Sequence, residues 1–198
     1  LSTLPNFVVM AASDEGELVK MINTTVDIND RPSAFRYPRG IGIGMELPDI
    51  TEKLVIGKGR IIREGKKVAM LNFGTRLKEC LIAEENLKKK GIDLTVVDAR
   101  FAKPLDENLI WQIATNHEAI ITIEEGAIGG FGSHVNFFLN EKNLLDNKLK
   151  FRSMILPDKF IDHNKPEEMY KDAGLDARSI ELKVLEALNS KVLIKKIN

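Results

Sequence analysis

The sequence is poor in cysteine, histidine and aromatic residues, and it carries no excess charge of either sign. Its single cysteine, Cys80, cannot close an internal disulfide and excludes every zinc motif built on cysteine pairs. None of the three histidines, His117, His134 and His163, is spaced with another histidine or with Cys80 as a metal site requires. Lys and Arg total 29 against 29 Asp and Glu, so no net field recommends a nucleic acid or an anionic membrane as partner. No run approaches the roughly 18 apolar residues of a membrane span. The start of the chain also lacks the basic-then-apolar order of a signal peptide. These absences point to a reducing compartment, and the expectation is cytoplasmic, or plastid stroma in a plastid-bearing source. What is present is ordinary for a globular protein: 43% hydrophobic and 29% charged residues over a length of 198, enough for one domain and part of another.

Periodicity divides the chain. Phe7–Met10 reads as a strand. A helix follows, opened by Asp14 with Glu17 three places on and carrying Leu18, Met21, Ile22 and Val26 at helical spacing. A short strand follows at Ala34–Gly40, broken by Pro38. Strand, helix, strand is too little for a parallel sheet, so residues 1–40 read as the tail of a domain, and the start at Leu1 fits that expectation. Glycines alternate with large apolar residues from Gly40 to Met45, which predicts a linker over 41–53.

From residue 54 to 190 strands alternate with helices, which predicts a three-layer α/β domain with a mostly parallel sheet. Gly59–Glu64 and Lys67–Phe73 are expected to form a hairpin about Glu64-Gly65-Lys66, making the first an antiparallel edge strand. A helix over 76–90 buries Leu77, Cys80, Leu81 and Leu87, sets Glu84–Lys88 and Glu85–Lys89 on its wet side, and ends at Gly91. Leu94–Val97 is a strand, and Pro104 is expected to open a helix with Leu105, Leu109, Ile110 and Ile113. Ala119–Ile123 and Phe151–Leu156 are strands. A helix with Val135, Phe138 and Leu139 lies between them, and two short helices near 166–173 and 177–189 follow. Residues 191–198, with Lys195-Lys196, read as a solvated tail.

Few residues suggest chemistry. Arg36-Tyr37-Pro38-Arg39-Gly40 puts two permanently charged, planar donors beside a proline-fixed turn. It reads either as a surface arginine pair or as a bidentate grip on phosphate or carboxylate. Gly126-Ala127-Ile128-Gly129-Gly130-Phe131-Gly132 sits between a strand and a helix, as a dinucleotide loop would. Its spacing is wrong, Asp146 is not at a strand end, and Glu124 and Glu125 would oppose phosphates, so a tight turn is the better account. Glu124 and Glu125, adjacent on a strand, face opposite ways and form no natural acid/base pair. His117 is placed to satisfy the last carbonyls of the preceding helix, and Phe137 and Phe138 read as core.

Several segments, in this order, resemble the 1-deoxy-D-xylulose 5-phosphate synthase family. They are Pro5-Asn6-Phe7-Val8-Val9-Met10 with Ser13-Asp14-Glu15, Arg36-Tyr37-Pro38-Arg39-Gly40, Ile56-Gly57-Lys58-Gly59, and Leu71-Asn72-Phe73-Gly74-Thr75. Next come Val97-Asp98-Ala99-Arg100-Phe101-Ala102-Lys103-Pro104-Leu105-Asp106, His117-Glu118-Ala119, Glu124-Glu125, Leu156-Pro157-Asp158 and Gly174-Leu175-Asp176-Ala177. The resemblance implies the end of a pyrimidine-binding domain over 1–40 and a transketolase C-terminal-like domain over 54–190. It also implies an enzyme that uses thiamine diphosphate and Mg2+ to condense pyruvate with D-glyceraldehyde 3-phosphate, releasing carbon dioxide, as a homodimer. By the same resemblance Arg39 grips the aldehyde's phosphate, while Arg36 and Tyr37 are further candidates expected to shape the strand end. The family's cofactor, metal and catalytic residues match no position here, so the chain alone is expected to be inactive. A non-catalytic dimerisation or regulatory module, or a fragment of another transketolase- or pyruvate dehydrogenase-beta-like enzyme, remains the alternative.

Overall fold

The computed structural model describes residues 1–38 and 40–189. Arg39, the end of the expected 54–190 domain at residue 190 and the expected tail over 191–198 with Lys195-Lys196 lie outside the described residues.

Two sheets organise the chain. The larger has five strands in the order β3 (Arg60–Arg63), β5 (Leu94–Asp98), β4 (Val68–Phe73), β7 (Ala119–Glu124) and β8 (Lys150–Met154). Four run parallel, and β3 alone is antiparallel, at the edge. Side chains alternate across the strands. Val68, Met70, Val96, Ile121 and Ile123 face α2 (Leu77–Lys88) and α6 (Ala177–Ala187). Ala69, Leu71, Val97 and Ile120 face α3 (Glu107–Asn116) and α4 (Phe131–Glu141). This is the expected three-layer domain. Every residue of β4, β5 and β7 is buried, as strands covered on both faces must be.

The smaller sheet has the order β2 (Ser33–Arg36), β1 (Val8–Ala11), β6 (Phe101–Lys103). β1 and β2 are parallel and joined through α1 (Glu15–Asp27), while β6, arriving just after β5, pairs antiparallel with β1. A strand from within 54–190 thus completes the sheet begun by residues 1–40. The segment between the sheets is tethered: the Glu15 carboxylate accepts from the backbone N–H groups of Ile43, Gly44 and Met45 at 3.1, 2.6 and 2.9 Å.

Five expectations need correction. β3 and β4 form no hairpin, because β5 lies between them. The connection crosses the start of β5 so closely that a Cβ on Gly65 would stand 2.3 Å from the Leu94 carbonyl carbon. The Thr95 hydroxyl there accepts from the Gly65 N–H at 3.0 Å. Glu84 is buried, not on the wet side of α2, and only Lys88 of that pair is exposed. Pro104 does not open α3. Asp106 does, accepting from the Leu109 N–H at 3.2 Å. Phe137 is 68% exposed, leaving Phe138 alone in the core. Val26 is 71% exposed and Ile22 is exposed with it, because the buried stripe of α1 runs through Glu17, Met21 and Thr24 and turns away from both. The last two helices fall where expected, at α5 (Pro166–Asp172) and α6.

Candidate functional site

In parallel α/β sheets ligands gather beyond the C-terminal ends of the strands, and there Arg36 meets the larger sheet. Arg36 ends β2. Its Nη1 donates to the Glu125 carbonyl at 3.0 Å and its Nη2 to the Phe73 carbonyl at 3.3 Å. The guanidinium also lies 5.4 Å from the centre of the Phe73 ring. One side chain of the small sheet therefore bridges the ends of β4 and β7. Tyr37 is 60% exposed, with its ring 6.2 Å from that of Phe35.

Glu124 and Glu125 diverge as their neighbouring positions on one strand demand. The Glu125 carboxylate accepts from the Thr75 hydroxyl and from Arg76 Nε, the latter at 2.9 Å. Arg76 in turn lies 3.6 Å above the Tyr170 ring. Burial, and then the charge of Glu125, push the Tyr170 hydroxyl above its ordinary pKa. Glu124 turns to the first turn of α4 and accepts from the Phe131 and Gly132 N–H groups at 3.1 and 2.8 Å. The carboxylate fills the anion cradle of that helix, where a dinucleotide would need to set its phosphates. The glycine run follows from it, since Cβ atoms on Gly126 and Gly130 would lie 2.3 and 2.6 Å from Glu124 Oε2. The tight-turn reading of this loop holds.

The histidines are not brought together. His117 Nδ1 donates to the Ile113 carbonyl at 2.8 Å, the expected helix-end role, and its Nε2 lies 2.7 Å from the Thr95 hydroxyl. His134 is half-buried in the first turn of α4, and His163 is exposed. Among the described residues, no group of three or more His, Cys, Asp or Glu could hold a metal ion, and no helix is long and apolar enough to cross a membrane. Burial pushes the Cys80 thiol far up, which removes it as a nucleophile.

A charged seam between the sheets escaped the sequence reading. Glu17, 1% exposed, accepts from Arg100 Nε and Nη2 at 2.6 and 2.8 Å, and Arg60 Nη1 stands 3.0 Å away. Arg60 also reaches Asp98 at 3.1 Å and Asp14 at 3.4 Å, and the Ser13 hydroxyl donates to Asp98 at 2.8 Å. Asp98 is fully buried. Burial raises its pKa from 3.8 to about 6, outweighing the nearby Arg60. The signal available was an aspartate closing an apolar strand, with an arginine two places on.

Comparison with known proteins agrees with this architecture. The family described as "Transketolase, C-terminal domain" matches residues 57–180, more than half of the chain. A solved structure described as "Split gene transketolase, inactive beta4 tetramer" superposes with a TM-score of 0.80 at 27% identity, over 94% of this chain and 59% of that one. Transketolase from Campylobacter jejuni subsp. jejuni NCTC 11168 superposes with a TM-score of 0.65 at 17% identity, over 93% of this chain and 27% of that one, a likeness of fold alone. The chain thus spans less than two thirds of either protein.

Proposed function

Because the chain belongs to the transketolase C-terminal domain family, we propose that it is the C-terminal part of a homodimeric, thiamine diphosphate-dependent synthase. The enzyme would condense pyruvate with D-glyceraldehyde 3-phosphate to 1-deoxy-D-xylulose 5-phosphate and carbon dioxide. The observation that carries this reading is the sequence Arg36-Tyr37-Pro38-Arg39-Gly40, whose first residue ends β2 and is pinned to the ends of β4 and β7. In this reading Arg39 forms a bidentate pair with the phosphate of the aldehyde, a geometry lysine cannot reproduce.

Thiamine diphosphate with Mg2+, when bound, supplies the carbanion chemistry for decarboxylation and carbon–carbon bond formation. The described residues of this chain do not fit that group. They hold no metal-binding cluster, and the helix N-terminus beside the glycine run is filled by Glu124. The chain's part is to bind and orient the phosphorylated aldehyde.

A second reading, ketol transfer between sugar phosphates, draws on the 27% identical split-gene transketolase. The test uses the whole protein that contains this chain, supplied with cofactor and Mg2+. Pyruvate and glyceraldehyde 3-phosphate should yield one carbon dioxide per product, and Arg39→Ala should raise KM for the aldehyde at least about tenfold while pyruvate KM stays within about twofold. Ketol transfer without release of carbon dioxide would establish the second reading. No turnover in either assay would leave a non-catalytic module.

A further inference from the structure

The run Gly40-Ile41-Gly42-Ile43-Gly44-Met45 belongs to neither sheet, and its alternation has a physical reason in α1. The Glu15 carboxylate takes the N–H groups of Ile43, Gly44 and Met45. A Cβ on Gly42 would stand 2.7 Å from Glu15 Oε1, and Gly44 adopts φ +84°. The glycines let the main chain close on the start of the helix, and the large residues between them are left outside.

Downstream the segment stays fastened. Lys20 pairs with Glu52 at 2.9 Å, and Asn23 Nδ2 donates to the Glu52 carbonyl at 3.0 Å. The Thr24 hydroxyl accepts from the Leu54 N–H at 2.8 Å, and Leu54 enters the apolar core of the small sheet. Residues 43–54 thus form a strap along α1 from its first turn to its last.

What this fixed backbone holds outward is apolar. Ile41 is fully exposed, Ile50 is 82% exposed, and Ile43, Met45 and Leu47 are each more than half exposed. On the helix the strap crosses, Ile22 and Val26 are exposed one turn apart. Together these side chains present on the order of 700 Å2. That is beyond the few hundred square ångströms usual for a monomer's apolar patch and close to the ~800 Å2 per partner of a standard interface. The charges at its margin narrow the class of partner. Lys20 and Lys53 are paired with Glu52 and Asp27, and Glu46 and Asp49 add negative charge, which opposes an anionic membrane. A second protein surface of the same apolar kind fits, and a two-fold axis supplies one.

We propose that the strap and the outer side of α1 are the contact through which a second copy of this protein docks, face to face about a two-fold axis. The proposal rests on the homodimer of the reading above and assigns it a surface.

The test measures the dimer dissociation constant of the whole protein that contains this chain by sedimentation, with thermal melting to establish folding. The double variant Leu47→Glu with Ile50→Asp should raise it at least about 100-fold. Glu15→Ala keeps every outward side chain and only releases the strap backbone, so it should raise the constant about five- to tenfold. Phe160→Asp, at a fully exposed ring in the loop after β8, controls for general stickiness and should stay within about twofold. Ile43→Cys should give a product of twice the mass with a short bismaleimide, above the level of the parent, whose Cys80 is buried. If the double variant does not fold, Glu15→Ala and the cross-link still decide. A dimer that ignores the double variant and Glu15→Ala and yields no such product overturns the proposal; continued condensation of pyruvate with the aldehyde would then leave the enzymatic reading standing. A parent that sediments as a monomer at micromolar concentration overturns the contact and the homodimer together. A double variant that melts lower with its dimer unchanged places the strap inside one whole chain and also overturns the proposal.

Discussion

In the five-stranded sheet, β4, β5 and β7 are buried along their whole length, and helices cover both faces. In the three-stranded sheet, β2 is half-exposed at every residue, and the sheet meets its larger neighbour through Glu17, Asp98, Asp14, Arg60 and Arg100. One region is held by apolar area removed from water, which is non-directional and tolerant of detail. The other buries an apolar core of its own around Val8, Met10, Met21 and Phe101. Its junction with the larger sheet adds, to the apolar contacts of Ala11 and Ala102, charges whose worth depends on geometry, because desolvation opposes every buried pair. A seam of the second kind specifies one relative placement of two sheets, and that placement carries Arg36 to the ends of β4 and β7.

The largest effect is expected from a substitution that attacks the first region alone. Ile121→Ala, at the fully buried centre of β7, should cost about 4 kcal/mol of unfolding free energy in urea titration, from lost transfer energy and the cavity left behind. It should leave hydrogen-exchange protection of Val8–Ala11 falling in step with that of β4. Selective loss in β1 would show that the two regions do not respond as the comparison requires.

The seam should respond to pH. Asp98 has a folded pKa of about 6 against an ordinary 3.8, so the native state binds the proton more tightly than the unfolded chain. The resulting stabilisation is fully present below about pH 3.8 and is lost as pH rises through about 6. The groups facing it are Arg60 from β3, Arg100 after β5, and Asp14, Glu17 and Ser13 from the start of α1. Asp98→Asn removes the titration. Stability of the variant relative to the parent should therefore improve by on the order of 3 kcal/mol between about pH 4 and 7. A difference that is flat, or that grows in favour of aspartate, would mean that Arg60 outweighs burial.

The same division explains what could be read in advance. β7, α2, α4 and α6 were legible because burial imposes a period on the local sequence, and the turn at Gly126–Gly132 because close backbone approach demands glycine. The hairpin misreading arose because strand order depends on which distant strand inserts, and residues 60–73 contain nothing that names β5. Asp106 was overlooked in favour of Pro104, although it caps α3 and also accepts from the Gly59 N–H and from Lys58 Nζ, both at 3.1 Å. At the candidate site Arg36 was visible as a cationic residue, but its partners lie 37 and 89 residues away. They are carbonyls, which every residue possesses, so no residue type could mark them. The seam shares this property, since Glu17 in isolation is an ordinary first-turn acid and only Arg60 and Arg100 make it a junction.

The smallest effect separates capping from the seam. Asp176 caps α6 by accepting from the Ser179 N–H at 3.1 Å, and Asp14 caps α1 by accepting from the Glu17 N–H at 2.8 Å. Only Asp14 also meets Arg60, at 3.4 Å. Asp176→Ala should cost about 1 kcal/mol, the ordinary worth of a cap. Asp14→Ala should cost about 1 kcal/mol more, because Arg60 loses one of its carboxylates. That excess should vanish when Asp14→Ala is made in an Arg60→Met background, where the contact no longer exists to be lost. If both caps cost the same in the parent, Asp14 is only a cap. The junction of the two sheets would then rest on Glu17 and Asp98 alone.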